Sequence, residues 1–459
     1  MKRTFIRSLG MVLVLGVVCG GFYGGRLLGV DPHAHAARHS QSWLLSLSKG
    51  LTGGLESSLT DGSSDVPPAE IFKDVLDKVQ NDFVETGNNV EDAPLTDGAL
   101  TRMLASLDDP DTYYLNPSAR KVRQETLQGR FQGIGAVTTI VKTKKRDVDY
   151  RYLTIVSVMP GSPAEKAGLQ PGDRINEVNG HWIIAYSVVV DYDRIAKETR
   201  DEAVRHDESR RITDKFNRGY TVAKALPILT AGQGRQIRLT IERNNQPPFQ
   251  VALTTATTQV DPVEYKVLNG HVGYLHVRQF NPQAADAMTA ALGARANDLQ
   301  GMVVDLRGNP GGVRADTNSG VDGYQAALTL VKLLTSGGTI AHIERRPNQR
   351  QALTLSPPAK PFALTLAVLV DEGTANLAEM VAAALRDNGK AKIIGTHTFG
   401  DDVLEMFAVL KGGGGINLTA AHLFTATGVD LNKGVQPDIV ATTAESALQR
   451  ALATLGVRS

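Results

Sequence analysis

Residues 302–312 read MVVDLRGNPGG, and this stretch decides the fold. Its first five residues are a mainly apolar run of strand length that ends at a glycine-containing turn, and residues 364–370 repeat the pattern. Residues 376–388 then have the pattern of a helix, which Gly389 closes. Buried strands that alternate with helices are typical of an α/β core whose sites lie at the carboxyl ends of the strands.

Upstream of this core, residues 129–258 have the pattern of a small β-rich module. Strand-like segments at 152–158, 236–242 and 249–254 are separated by Gly/Pro turns. A charged, helix-favouring stretch at 183–226 interrupts them, and we expect it to be an exposed helical insertion without chemistry.

The segment before the β-rich module is predicted to be helical. Apolar residues recur there in two runs at three- and four-residue spacings. They are Ile71, Val75, Leu76, Val79 and Phe83 in the first run, and Leu100, Met103, Leu104 and Leu107 in the second. We therefore expect a helical segment over 67–128, preceded at 31–66 by a linker rich in Gly, Ser, His and Ala.

The N-terminus has the pattern of an export signal. Lys2, Arg3 and Arg7 precede the apolar run LGMVLVLGVVCGGFY at 9–23. Residues 1–30 are either an uncleaved signal anchor or a cleaved signal peptide. In both cases we expect the body of the protein to be extracytoplasmic, in a bacterial periplasm or cell envelope, and either membrane-anchored or secreted.

Composition excludes several classes of site. Lys and Arg total 49 and Asp and Glu total 48, so a net charge of +1 gives no reason to expect a nucleic-acid partner. Cys19 is the single cysteine, which excludes an intrachain disulfide and a four-cysteine zinc site. His33, His35 and His39 lie close together without acidic partners, and a solvated linker is favoured over metal binding. No metal and no cofactor are expected.

Eight short motifs occur in the order found in C-terminal processing peptidases. They are LDDP at 107–110, FQGIG at 131–135, AGLQPGD at 167–173, DLRGNPGG at 305–312, VDEGTA at 370–375, DNG at 387–389, TFG at 398–400 and GVQPDI at 434–439. From about residue 70 to 445 the chain thus resembles the tail-specific peptidases of family S41. The resemblance implies an N-terminal helical part, an inserted PDZ domain and an α/β core of the ClpP/crotonase fold, here residues 259–459.

The resemblance also implies which residues occupy the family's catalytic positions. The family uses a serine nucleophile, a lysine base held neutral by burial, and a glutamine that orients the lysine. In this chain those positions carry Asn376, Asp401 and Glu405. A carboxamide is not an acyl-transfer nucleophile. The carboxylates of Asp401, Asp402 and Glu405 would oppose the negative charge that develops in the transition state.

Two further groups of residues are assigned by the resemblance. The oxyanion-hole equivalents are the backbone N–H groups of Gly311, Gly312 and Leu377. The loop Gly133, Ile134, Gly135 and Ala136 is expected to hold the carboxylate of a peptide tail, which adds a strand to the sheet edge. The alternative for this loop is a glycine turn that only builds the domain. We also expect the Asn376 amide to donate a hydrogen bond to the Asp401 carboxylate.

These changes lead us to expect a catalytically inactive homologue. It would act as an extracytoplasmic adaptor, scaffold or regulator that binds protein C-terminal tails and pairs with an active paralogue or a second copy. The alternative is an active serine-type endopeptidase that cleaves near protein C-termini through a displaced catalytic group, with Thr374 as nucleophile and Lys390 or Lys392 as base. A third possibility is a structural part of a membrane-tethered oligomer.

Overall fold

The computed structural model describes residues 67–84, 91–145, 148–187, 189–244, 246–269, 271–293, 299–315, 322–357, 364–389 and 391–456. Contacts divide the chain into two compact units, Met1–Asn89 and Val90–Ser459. The predicted signal segment at 1–30 and the linker at 31–66 lie outside the described residues. Within the described part of the chain, no helix has both the length and the apolar character needed to cross a membrane.

The first unit contributes one described helix, α1 at Pro68–Asp82. It begins with proline at its first position, where the missing N–H is not needed and the fixed φ suits a helix. Ile71, Phe72 and Val75 are exposed on it. The helical periodicity that the sequence shows here is confirmed.

The second unit begins with a helical segment that leads into a β-rich region. Its elements up to residue 259 are α2 Asp92–Ala105, β1 Tyr113–Leu115, α3 Pro117–Leu127, β2 Arg130–Gly133, β3 Ala136–Lys145, β4 Val148–Val158, α4 Pro163–Lys166, β5 Arg174–Val178, β6 His181–Trp182, α5 Val189–Glu198, α6 Glu202–Arg218, α7 Val222–Leu229, β7 Gln236–Glu242, β8 Phe249–Thr254 and β9 Ala256–Gln259.

The β-rich region is built on one sheet with strand order β3-β4-β5-β7-β8, with β6 paired to β5. Alternate residues of these strands face a common core, because successive side chains of a strand point to opposite faces. Leu153, Ile155, Ile175 and Leu239 are buried there together with Leu229 of α7. Strand β3 stands at one end of this order.

The stretch at 183–226 contains three helices. α5 and α6 are amphipathic or charged and lie between β6 and α7, and α6 has no buried residue. The prediction of an exposed insertion is wrong for α7, which belongs to the core of the module because its Ala225 is fully buried. Trp182, Tyr186 and Phe216 form edge-to-face contacts that hold α6 against the β6 end of the sheet.

The C-terminal half forms a layered α/β core. Its elements are β10 Val263–Leu268, β11 Val272–Val277, α8 Pro282–Gly293, β12 Gly301–Asp305, β13 Arg314–Ala315, α9 Gly323–Leu334, β14 Gly338–Glu344, β15 Arg350–Leu355, β16 Thr365–Val370, α10 Leu377–Gly389, β17 Lys392–Gly395, β18 Val403–Val409, β19 Gly415–Thr425, a 3-10 turn Leu431–Lys433, β20 Ile439–Val440 and α11 Ala444–Thr454.

Two sheets organise this half. The first has the order β10-β11-β12-β16-β17-β20. Its last five strands in this order, which are β11, β12, β16, β17 and β20, are parallel. Helices α8, α9 and α10 cover one face, and α11 covers the other. The second sheet has the order β13-β18-β19-β14-β15, with β1 also paired to β19. The predicted mixed α/β fold with a helical N-terminal segment is confirmed.

Candidate active site

The turn after β12 is held by a buried ionic network. Asp305, fully buried, accepts hydrogen bonds from Arg307 Nε at 2.9 Å and from the Tyr274 hydroxyl at 2.6 Å. Burial alone would raise the pKa of Asp305, but the hydrogen bonds and charge of Arg307 lower it below its usual range. The carboxylate therefore fixes where the following glycine turn leaves the sheet.

Asn309 shapes that turn from inside. Its Nδ2 donates to Val277 O at 2.8 Å, and its Oδ1 accepts from Gly311 N at 2.8 Å. Gly311 has φ +89, and a Cβ added there would lie 2.7 Å from Asn376 Cβ and 2.9 Å from Leu377 N. Only glycine permits this approach. The structure thus brings Gly311 directly against residues 376 and 377, as the resemblance implies.

Asn376 lies at the N-terminus of α10 in the left-handed region, with φ +55. Asparagine tolerates this conformation better than most residues. Its Oδ1 accepts from Leu377 N at 2.8 Å, and its Nδ2 donates to Val403 O. The prediction of a hydrogen bond from Asn376 to Asp401 is therefore wrong, because the amide faces the backbone of β18.

Glu379 connects the two turns of the site. Its buried carboxylate accepts from Asn376 N at 2.9 Å, from Gly400 N at 2.8 Å and from Asp401 N at 2.8 Å, and from the Thr398 hydroxyl. Burial raises the pKa of Glu379 to about 7, although these hydrogen bonds oppose the rise. The sequence motifs do not indicate this structural role of Glu379.

Asp401 and Glu405 belong to a group of acidic side chains beside the β18 strand. Burial raises the pKa of Asp401 well above its usual range, and the Glu405 carboxylate adds to the rise. Glu405 pairs with Arg123 at 2.9 Å. Burial, followed by the charges of Glu405 and Asp109, also raises the pKa of Asp111 to about 7. Sequence analysis missed Asp111 because it lies far from Asp401 in the sequence.

Asp402 does not join that acidic group. Its Oδ2 lies 2.7 Å from His422 Nδ1, and Leu423 N donates to its backbone O at 2.7 Å. Burial raises the pKa of Asp402, and the interaction with His422 opposes the rise. The expected set of Asp401, Asp402 and Glu405 is therefore corrected, because Asp402 faces a histidine and Glu405 faces an arginine.

Thr374 is a buried turn residue. Its hydroxyl lies 2.9 Å from Leu306 O and 3.2 Å from Asp371 Oδ1, and it accepts from Asp371 N at 3.0 Å. The side chain has no exposed surface, and Lys392 is exposed. Lys390 lies outside the described residues. These contacts do not support Thr374 as a nucleophile with a lysine base.

The predicted tail-binding loop connects β2 to β3 and contacts the end of α7. Ile134 N donates to Leu229 O at 2.9 Å. A Cβ on Gly133 would lie 2.0 Å from Leu229 O, and a Cβ on Gly135 would lie 2.3 Å from Ser162 Cβ. Both glycines are therefore required for packing. Ala136 begins the edge strand β3, and the binding of a tail carboxylate by this loop remains a prediction.

The β-rich region contacts both turns of the core. Ser157 Oγ donates to Gly308 O at 2.5 Å. A Cβ on Gly373 would lie 3.0 Å from Pro171 Cγ, so the turn after β16 also touches this region. Within the described residues, no group of three or more His, Cys, Asp or Glu side chains is arranged to hold a metal ion.

Residues 271–441 match the model of peptidase family S41, and residues 154–205 match the model of the PDZ domain. The chain therefore resembles peptidase family S41 over residues 271–441. The resemblance drawn from the eight motifs is thereby confirmed for the family and for the PDZ domain.

Several curated relatives of this chain are named as proteases. The carboxy-terminal processing protease CtpA of Bacillus subtilis is 27% identical over 368 residues, which cover 80% of this chain and 67% of that protein. The carboxyl-terminal-processing protease of Synechocystis is 28% identical over 348 residues, covering 74% of this chain and 70% of that protein.

Among solved structures, the photosystem II D1 C-terminal processing protease resembles this chain with a TM-score of 0.56 and 23% identity. The match covers 83% of this chain and 90% of that one, and it supports the fold.

These names overturn the expectation that this chain is a catalytically inactive adaptor or regulator. The relatives are named as C-terminal processing proteases, which favours the alternative of an active peptidase. The assignment of Asn376, Asp401 and Glu405 to the family's serine, lysine and glutamine positions remains a prediction, as does the oxyanion role of Gly311, Gly312 and Leu377.

Proposed function

We propose that this chain is an endopeptidase of the serine-type family S41 that cleaves proteins near their C-termini through a displaced catalytic group. The observation that carries the proposal is the bond between Asn376 Oδ1 and Leu377 N at 2.8 Å. A carboxamide oxygen has the same chemistry as the oxygen of a peptide bond. Its position supports binding of a substrate carbonyl at the Leu377 amide, which is proposed to stabilise the oxyanion.

Substrate recognition is proposed to occur on the PDZ domain. A C-terminal tail adds as a strand to the outer edge of β3, and its carboxylate binds at the loop that contains Ile134. Ile134 N donates a hydrogen bond to Leu229 O in this structure. A tail carboxylate can therefore accept a hydrogen bond from Ile134 N only after the end of α7 is displaced. The apolar surroundings of α7 and β3 favour tails that end in apolar residues.

The contacts between the PDZ domain and the core support delivery of the captured protein. Ser157 and Pro171 of the PDZ domain lie against Gly308 and Gly373, which belong to the two turns of the site. A chain held on the PDZ domain by its last residues therefore has its preceding residues close to the turns that surround Asn376.

The location of the protein is proposed from its N-terminus. The basic residues Lys2, Arg3 and Arg7 and the apolar run at 9–23 support export, with the protein either anchored in the membrane or secreted into the periplasm or cell envelope. Association with a second copy or with a paralogue is a further prediction. Neither a nucleic acid nor a cofactor is part of the proposal.

The test is hydrolysis of a protein substrate with an apolar C-terminal tail by the purified full-length chain, followed by mass spectrometry of the products. The matched control is the same substrate with its terminal carboxylate converted to an amide. We expect cleavage near the C-terminus of the free-acid substrate, slower cleavage of the amide, and activity that co-elutes with the protein. No hydrolysis by homogeneous protein would overturn the proposal.

A further inference from the structure

His422 and Asp402 form a pair that the catalytic positions of the family do not include. His422 Nδ1 lies 2.7 Å from Asp402 Oδ2, with 51% of the histidine side chain and 12% of the aspartate side chain exposed. The carboxylate is thus mostly shielded while the imidazole reaches solvent. Because Nδ1 faces a carboxylate, it carries the proton in the neutral ring, and Nε2 has the free lone pair.

Strand register places His422 beside the segment of β18 that binds the Asn376 side chain. His422 on β19 stands directly opposite Val403 on β18, and Val403 O accepts the Asn376 amide on the other side of β18. Leu404 and Ala421 are buried on the core face of these strands. Since neighbouring side chains alternate, His422 lies on the opposite face, together with Glu405.

We propose that His422, oriented by Asp402, is the general base that activates a water molecule for peptide hydrolysis. This inference rests on the proposed peptidase function and identifies its displaced catalytic group. The nucleophile is water, because position 376 has no hydroxyl and the Thr374 hydroxyl is buried in its turn.

The reaction needs no group beyond water and the chain itself. His422 Nε2 takes a proton from water, and the water oxygen forms a bond to the carbonyl carbon of the substrate. The carbonyl electron pair moves to its oxygen, which Leu377 N stabilises after the Asn376 carboxamide has moved aside. The intermediate then collapses, the C–N bond breaks, and the imidazolium returns its proton to the leaving amine. One peptide and one water give one carboxylic acid and one amine.

Asp402 is a positioning residue in this scheme. It holds the ring in the tautomer that leaves Nε2 unprotonated, and it stabilises the imidazolium that forms. Glu344 stands opposite His422 on β14 and is bound by Arg350 Nε at 2.6 Å, so its carboxylate already has a cationic partner.

The test compares His422→Ala and His422→Gln with the matched control His206→Ala, which changes an exposed histidine of α6. We expect each His422 variant to lose about 10²- to 10⁴-fold in kcat with little change in KM, while the control keeps the parent rate. Added imidazole should restore part of the activity of His422→Ala. Asp402→Asn should lower kcat and remove the downfield proton resonance of the bonded Nδ1–H.

The outcomes separate the two proposals. An active parent whose rate is unchanged in both His422 variants would overturn the role of His422 and leave the peptidase function standing. Loss of activity without rescue by imidazole, accompanied by a lower unfolding temperature in both variants, would also overturn it. An inactive parent that still shows the Nδ1–H resonance would overturn the peptidase function and, with it, this catalytic role.

Discussion

The carboxylate of Glu379 accepts a hydrogen bond of 2.8 Å from the backbone amide of Asp401. Through this bond and the one from Asn376 N, the first turn of α10 and the turn before β18 share one buried acceptor. The relative position of residues 376 and 401 is therefore fixed by a third side chain rather than by their own contact.

Protonation of Glu379 should make stability depend on pH. Burial raises the pKa of this carboxyl from 4.5 to about 7, so between these values the folded chain keeps a proton that the unfolded chain has lost. Stability should therefore fall as pH rises from about 4.5 to 7, by up to about 3 kcal/mol from this group.

Urea unfolding at several pH values measures how the free energy of unfolding changes with pH. Glu379→Gln should reduce this change while lowering stability at every pH. Burial also raises the pKa of Asp111 to about 7. Asp111 therefore adds a pH dependence of stability with the same sign in the parent and in the Glu379→Gln variant. An unchanged slope in Glu379→Gln would contradict the prediction.

Gly311→Ala should be more destabilising than the same change at another left-handed glycine. Both Gly311 and Gly161 have positive φ, but a Cβ at Gly161 meets open space, whereas one at Gly311 lies 2.7 Å from Asn376 Cβ. We expect about 1 kcal/mol for Gly161→Ala from backbone strain, and about 2–4 kcal/mol for Gly311→Ala from strain plus overlap. Equal losses in denaturant titrations would show that the turn relaxes freely.

Asn376→Gly should raise the rate of peptide hydrolysis. Glycine adopts φ +55 without strain, and its lack of a side chain leaves Leu377 N available to the substrate carbonyl. One competing hydrogen bond of about 1 kcal/mol corresponds to an increase of about fivefold in kcat/KM. The loss of the bond to Val403 O should lower the unfolding temperature slightly. A slower variant that folds normally would show that the carboxamide assists the reaction.

Restoring the family residues tests the assignment of the catalytic positions. The triple change Asn376→Ser, Asp401→Lys and Glu405→Gln should allow a fluorophosphonate probe, which labels activated serines, to modify position 376. The parent should not be labelled there. The double change Asp401→Lys and Glu405→Gln is the matched control, because it restores the base without the nucleophile. Absence of labelling at position 376 in a triple variant that folds normally would refute the assignment.

Much of the fold was predictable because it depends on local patterns. The apolar runs at 302–306 and 364–370 became β12 and β16, and the helix predicted over 376–388 became α10. The glycine turn at 308–312 was expected near residue 376, and the structure places it there.

The contacts that depend on strand register were not predictable. His422 and Asp402 meet only because β18 and β19 pair with Val403 opposite His422, and a shift of one residue would turn the histidine to the other face. Asp111 reaches the group that contains Asp401 and Glu405 through the pairing of β1 with β19. Short sequence motifs carry no information about such pairings. The orientation of the Asn376 amide was not predictable either, because it depends on which backbone acceptor lies within reach.

The insertion between β6 and α7 gives the molecule an optical reporter. Trp182 is the one tryptophan in the described part of the chain, and Phe216 of α6 lies 4.9 Å from its ring, with Lys215 Nζ 4.3 Å from the ring centroid. Any event that lifts α6 from the sheet exchanges these neighbours for water. The emission wavelength of Trp182 should therefore report the docking of this helix in real time, without an added dye.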